Sequence, residues 1–195
     1  RHVKNLQRFG IPVVVAINRF SSDTEAEMAV VRACSKSLGV ACAPADGWAR
    51  GGDGMTELAK AVVAVAESGA AQFKPLYPLE MSIEEKIKFV ATTLYGATNI
   101  NYTPKARADM RRVARLGLEN LPICMAKTQY AFSDRPEHRG IPTPFELTVR
   151  EVEIAAGAGF VIPITGTMMR MPGLPKVPAA MGMDIDDDGH ITGLS

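Results

Sequence analysis

The chain has 195 residues, 47% of them apolar, with 22 Lys and Arg against 21 Asp and Glu for a net charge of +1. That is room for one large domain or two small ones of ordinary globular composition. Acids and bases are interspersed, which argues against a nucleic-acid footprint or a polybasic membrane patch, and no apolar run approaches the length of a bilayer span.

Three widely spaced cysteines, Cys34, Cys42 and Cys124, form no Cys-x-x-Cys pair. The expectation is buried, reduced thiols in a cytoplasmic protein rather than a disulfide framework. The opening RHVKNLQRFG is neither a signal peptide nor a transit peptide. With no initiator methionine and a strand arriving almost at once, the chain is expected to be the middle of a longer protein.

Val3 to Phe9 reads as the end of a helix stopped by Gly10 and Pro12. The β-branched run Val13 to Ile17 predicts a short strand covered on both faces. Ser22 and Glu25 have capping-box spacing, opening a helix whose inner face is Ala26, Met28, Ala29, Val30, Ala33 and Leu38, with Gly39 ending it. Val40 to Ala43 is a second strand, stopped by Pro44, and strand–helix–strand implies a parallel pair. The glycines of DGWARGGDG (46–54) mark a loop, Met55 to Ser68 a helix closed by Gly69, and QFKPLYPLEM (72–81) a linker.

Ser82 and Glu85 form another capping box, with Ile83, Ile87, Val90 and Leu94 inward and Gly96 as the stop. Ala97 to Tyr102 is a strand candidate. Pro104 opens a basic helix bearing Met110, Val113 and Leu116 and ending at Gly117. Leu121 to Ala126 predicts a buried strand, followed by a polar loop, and Phe145 to Ile154 alternates as a half-buried strand should. After AAGAG comes FVIPIT, then MPGLPKVP (171–178), too proline-rich for a helix or central strand. The end is a hairpin turning at Asp188-Gly189. The fold class is α/β: a Rossmann-like parallel sheet with flanking helices in residues 1–145, and a small strand-rich segment in 146–195.

Several motifs fail on inspection. Ala126-Lys127-Thr128 follows a strand but lacks the glycines of a P-loop. Gly157 and Gly159 supply two glycines of a dinucleotide fingerprint but precede a strand. Gly51 to Gly54 could offer amides to an anion, though a flexible turn explains it as well. Asp184, Asp186, Asp188 and Gly189 open like an EF-hand loop, but the closing Glu position is Ser195, so calcium is rejected. Asp134, Glu137 and His138 have too little ligand pattern for a metal site against the simpler reading of a solvated loop. No metal is assigned, and no nucleophile triad is evident.

The residues at the carboxyl ends of the first two strands are the candidate site, since ligands of open α/β sheets sit there. Asn18-Arg19-Phe20-Ser21 partly matches the base-reading N-K-x-D, with Ser21 in place of the Asp. If the strands are neighbours, Phe20 and Trp48 rise on one rim. On residue chemistry alone, packing of Phe20 on the following helix is the favoured alternative to a ligand contact.

Longer strings change the balance. FGIPVVVAINRF with SSDTEAE, WARGGDG, KIKFVATTLYGA, LPICMAKTQYAFSD, GAGFVIPITGTMMRMPGLPKVPAA and DIDDDGHITGL resemble formate–tetrahydrofolate ligase, in order and over nearly the whole chain. The forms AINRF and KTQYAFSD resemble the bacterial single-function enzyme. The resemblance implies an ATP-dependent, cytoplasmic ligase that makes 10-formyltetrahydrofolate, ADP and phosphate by way of formyl phosphate. It also implies Mg-ATP, an activating monovalent cation and a homotetramer, with no nucleic-acid or membrane partner.

The resemblance carries the family's pterin-clamping aromatics onto Phe20 and Trp48; Asn18, by its place next to them, is the candidate for a polar contact in the same cleft. A flat heterocycle between two rings buries apolar area on both faces. The matching region is the family's carboxyl-terminal third, so the P-loop and the catalytic residues on the phosphate side are expected elsewhere, and the isolated chain is expected to be inactive. The chain ends in GLS where the family commonly has GLF, so its end looks natural. The alternative is a non-catalytic folate-binding or structural fragment.

Overall fold

The computed structural model describes residues 1–166 and 176–193. Helix α1 (His2–Gln7) leads into β1 (Val14–Asn18), α2 (Glu25–Ser37) and β2 (Ala41–Ala45). A helical turn α3 (Gly47–Arg50) and a 3-10 turn (Gly51–Met55) precede α4 (Thr56–Glu67). Then come α5 (Ile83–Val90), β3 (Asn99–Tyr102), α6 (Pro104–Arg115), β4 (Glu146–Ala155) and β5 (Phe160–Thr165), and finally the hairpin β6 (Asp184–Ile185) and β7 (Ile191–Thr192).

The expected α/β class is what is found: parallel strand pairs flanked by helices, with antiparallel strands toward the end. β1 and β2 are parallel, with Asn18 opposite Ala45. β4 is central to a second sheet, parallel to β3 and antiparallel to β5.

Most of the core lies on that second sheet. Ile83, Ile87 and Val90 of α5, Ala106 and Val113 of α6, and Val149, Val152 and Val161 of β4 and β5 form one buried cluster. Both sheet-side helices begin where the sequence indicates. Ser82 Oγ accepts the Glu85 N–H while the Glu85 carboxylate accepts the Ser82 N–H at 2.8 Å. Thr103 caps α6, with Pro104 in its first turn. α5 continues through a wider turn, Ala91–Tyr95, until Gly96 takes φ 86°, a conformation that favours glycine.

Other expectations are corrected. β1 is not covered on both faces: Ile17 is buried, Val14 and Val15 are half-buried, and Ala16 is exposed. On α2, Met28 and Ser35 are buried, while Ala26, Ala29, Val30 and Ala33 are exposed. Two strands about 4.8 Å apart present a surface narrower than an apolar helix stripe. The α2 cap is Thr24 with Glu27, not Ser22 with Glu25. Asp23 is engaged with Phe20 instead, which keeps residues 20–23 in a turn outside the helix.

Pro44 lies within β2 rather than stopping it. The Arg19 N–H bonds the Ala45 carbonyl, so by the alternation of a parallel ladder the Pro44 nitrogen faces away from β1 and no bond is lost. DGWARGGDG is two short helical turns instead of an irregular loop. Residues 121–126 do not form a regular strand; they run beside β5 through isolated bridges at Ile123 and Ala126. Leu116 is exposed. Cys34 and Cys124 are exposed and Cys42 half-buried, all three as free thiols. The proline-rich stretch 171–178 falls outside the described residues up to 175.

The linker is fastened. The Gln72 and Lys74 N–H groups bond the Gly10 and Phe9 carbonyls at 2.7 and 2.9 Å, and the Tyr77 hydroxyl accepts the Ile123 N–H at 3.0 Å.

Candidate functional site at the ends of beta strands 1 and 2

The parallel ladder runs one residue past β1, where the Arg19 N–H bonds the Ala45 carbonyl at 3.0 Å. The chain then turns sharply. The Phe20 N–H donates to Asp23 Oδ2 at 2.8 Å, and the Asp23 N–H returns to the Phe20 carbonyl at 3.1 Å. Held this way, the Phe20 side chain stands 55% exposed at the strand edge.

From β2 the chain enters α3, and Asp46 fixes the transition. Its N–H donates to the Gly54 carbonyl at 3.1 Å, and its carbonyl accepts the Arg50 N–H at 3.1 Å. Gly54 must be glycine here, because a Cβ would lie 2.2 Å from the Asp46 carbonyl oxygen. The result is a fixed turn that presents Trp48, 64% exposed. Its indole Nε1–H donates to the Arg19 carbonyl at 2.7 Å. Trp48 is thereby tied to the residue directly before Phe20.

Phe20 is thus no core residue: more than half of its surface is open at the rim. Asn18 ends β1 with its side chain exposed and without a hydrogen bond to a described residue. Arg19 reaches Glu25 at 3.5 Å, and Arg32 reaches the same carboxylate at 3.6 Å, all exposed and each pair worth little by itself. Two open aromatic rings beside an unpaired amide suit a flat, partly polar ligand.

The other candidates behave differently. Asp134, Glu137 and His138 are not gathered, and Asp134 Oδ2 accepts the Thr148 N–H at 3.0 Å. Among the described residues Asp186, Asp188 and His190 do come within 4.8 Å of one another, all exposed. Asp186 Oδ1 accepts the N–H groups of His190 and Asp188 at 2.8 and 3.0 Å, which holds its carboxyl below the usual range. That carboxylate serves the hairpin turn. Lys86 went unnoticed in the sequence: it lies on α5 among the apolar positions and is fully buried, its ammonium donating to the Glu119 and Leu121 carbonyls. No residue pattern announces such a partnership, because both acceptors are main chain.

The sequence model of the family described as formate–tetrahydrofolate ligase matches residues 1–195. The chain belongs to that family. It is 48% identical over 193 residues to the formate–tetrahydrofolate ligase of Lactiplantibacillus plantarum, an alignment covering 99% of this chain. The chain spans 35% of the length of that curated relative. None of the described helices is long and apolar enough to cross a membrane.

Proposed function

We propose that this chain is the folate-clamping part of an ATP-dependent ligase that joins formate to tetrahydrofolate. A formate oxygen attacks the γ-phosphorus of ATP, giving formyl phosphate and ADP. The folate N10 lone pair then attacks the formyl carbon, phosphate leaves, and N10 gives up its proton. Phe20 and Trp48 hold the two faces of the pterin, and Asn18 makes a polar contact at its edge. The observation supporting this most is the Trp48–Arg19 hydrogen bond, which sets two exposed rings on one rim.

The sequence contains no G-x-x-x-x-G-K-[ST] loop, so its residues are given no step in phosphoryl transfer. The phosphate site for Mg-ATP belongs to the rest of the enzyme; the complete ligase is activated by a monovalent cation, forms a homotetramer and works in the cytoplasm. By itself the 195-residue chain binds folate weakly and makes no product.

The test is steady-state kinetics of the complete ligase carrying this sequence. Losing one stacking ring costs about 1–3 kcal/mol, by analogy with base stacking on aromatics. Trp48→Ala is therefore expected to raise the KM for tetrahydrofolate by about 5- to 150-fold and leave that for ATP nearly unchanged. Equal effects on both substrates would remove Trp48 from the folate site. Turnover by the isolated 195-residue chain would overturn the division of labour.

A further inference from the structure

A cavity of about 630 Å³ opens between α1, the turn ending at Tyr95 and the loop from Lys127 to Ile141. This is a volume that commonly takes a small organic ligand. Asn18, Phe20 and Trp48 do not line it, so it stands apart from the folate clamp. Its thirteen lining residues include Arg1 and Lys127 but no acid. The rings of His2, Tyr95, Tyr130 and Phe132 complete the wall.

Lys127 is the central group. Its ammonium donates to the Thr128 carbonyl at 2.6 Å and to the Ala131 carbonyl, and it lies 5.4 Å from the centre of the Tyr95 ring. Two carbonyls and a ring face take up its three protons, and all three partners are uncharged. No carboxylate among the described residues pairs with it. The acidic influence on it is that of Asp134, whose carboxylate accepts the Thr148 N–H. Burial pushes the Lys127 ammonium below its ordinary range, as expected for a cation short of a counter-charge.

Arg1 adds a second charge, its Nε donating to the Leu94 carbonyl at 3.1 Å. Tyr130 is 65% exposed and has no ring partner within the described chain, whereas Phe132 packs on His2 at 4.9 Å between centroids. A half-buried cation without a carboxylate beside an open ring is a receptor for a molecule that is both anionic and flat.

We propose that this cavity binds a planar aromatic anion, with its phosphate or carboxylate at Lys127 and its ring against Tyr130. The site uses none of the clamp residues and does not depend on the folate reading.

The experiment is an amide NMR titration of the complete 15N-labelled ligase carrying this sequence, read at residues 127–132, with two probes, adenosine 5′-monophosphate and 4-hydroxybenzoate, which distinguish a phosphate from a carboxylate ligand. Neutral adenosine and 4-hydroxybenzamide, and ring-free inorganic phosphate and acetate, serve as controls. At least one aromatic anion is expected to shift the amides of residues 127–132, binding at least tenfold more tightly than its neutral and ring-free counterparts. Lys127→Met is expected to weaken that binding at least fivefold. Because this lysine also fastens the 128–131 loop, Tyr130→Ala is the decisive variant: the ring is exposed, so the fold survives, and binding is expected to fall at least fivefold. Binding of neither anion, equal binding of the neutral compounds, or unchanged binding by Tyr130→Ala would overturn the proposal.

Discussion

Trp48 is held by the residue in front of Phe20 and not by Phe20 itself: the indole N–H donates to the Arg19 carbonyl across 2.7 Å. The bond sets where the indole stands while leaving its ring uncovered. It also ties the end of β1 to the turn after β2. Trp48→Phe separates the two contributions, keeping an aromatic face and removing the donor. With the Arg19 carbonyl left to water, the stability cost is expected to be about 0.5–1.5 kcal/mol at most. The KM for tetrahydrofolate in the complete ligase should fall between those of the parent and Trp48→Ala. A value equal to the parent's would show that the hydrogen bond has no part in positioning the ring.

Thr24 and Ser22 offer a direct test of where α2 begins. Both stand three residues before a glutamate, so the sequence presents two equivalent capping frames. The structure uses the later one, with the Thr24 N–H bonded to Glu27 Oε2 at 2.9 Å and the Glu27 N–H to Thr24 Oγ1 at 3.3 Å. Thr24→Ala is expected to cost about 1 kcal/mol, whereas Ser22→Ala should stay within about 0.5 kcal/mol. Urea unfolding of the two variants measures the difference, and the reverse ranking would move the helix start back to Ser22.

These frames show what local chemistry could and could not reveal. Ser82 with Glu85, Pro104, and the Asp188-Gly189 turn each act within a few residues, and each marks its element as read from the sequence. The pairing of Asp23 with Phe20 acts across a competing frame and shifted α2 by two residues. Pro44 looks like a stop in sequence because which edge of a strand its nitrogen faces depends on the partner strand. The rim itself was legible as two strand ends in a parallel pair. The bond that joins its rings was not, because its acceptor is a main-chain carbonyl 29 residues away. Lys86 was invisible for the same reason.

Lys86 gives a pH signature. Burial lowers its ammonium below the ordinary 10.5, with Glu119 and Glu80 opposing the shift. Between that lowered value and 10.5 the unfolded chain holds the proton and the folded chain does not. Stability contributed at this site therefore rises with pH across that window, and is flat below and above it. Lys86→Met leaves the Glu119 and Leu121 carbonyls without their donor, at a cost of about 1–3 kcal/mol near pH 7. Chemical denaturation from pH 7 to 11 should show the gap between parent and variant widening with pH. A constant or narrowing gap would contradict a lowered ammonium.

Gly54 tests whether the proposed clamp depends on the turn beneath it. An added Cβ would meet the Asp46 carbonyl oxygen at 2.2 Å and its carbon at 2.6 Å, and both are backbone atoms that cannot rotate away. The same glycine accepts the Asp46 N–H that closes the turn carrying Trp48. Gly54→Ala must therefore open that turn, at an expected cost of about 1–3 kcal/mol from overpacking. Gly52→Ala is the matched control, since a Cβ there meets nothing within 4 Å, and it should change stability by less than about 0.5 kcal/mol. If the turn sets the ring, Gly54→Ala should also raise the KM for tetrahydrofolate in the complete ligase, without Gly54 supplying any side chain to the rim. A variant destabilised to this extent but unchanged in folate KM would mean that Arg19 alone holds Trp48 in place.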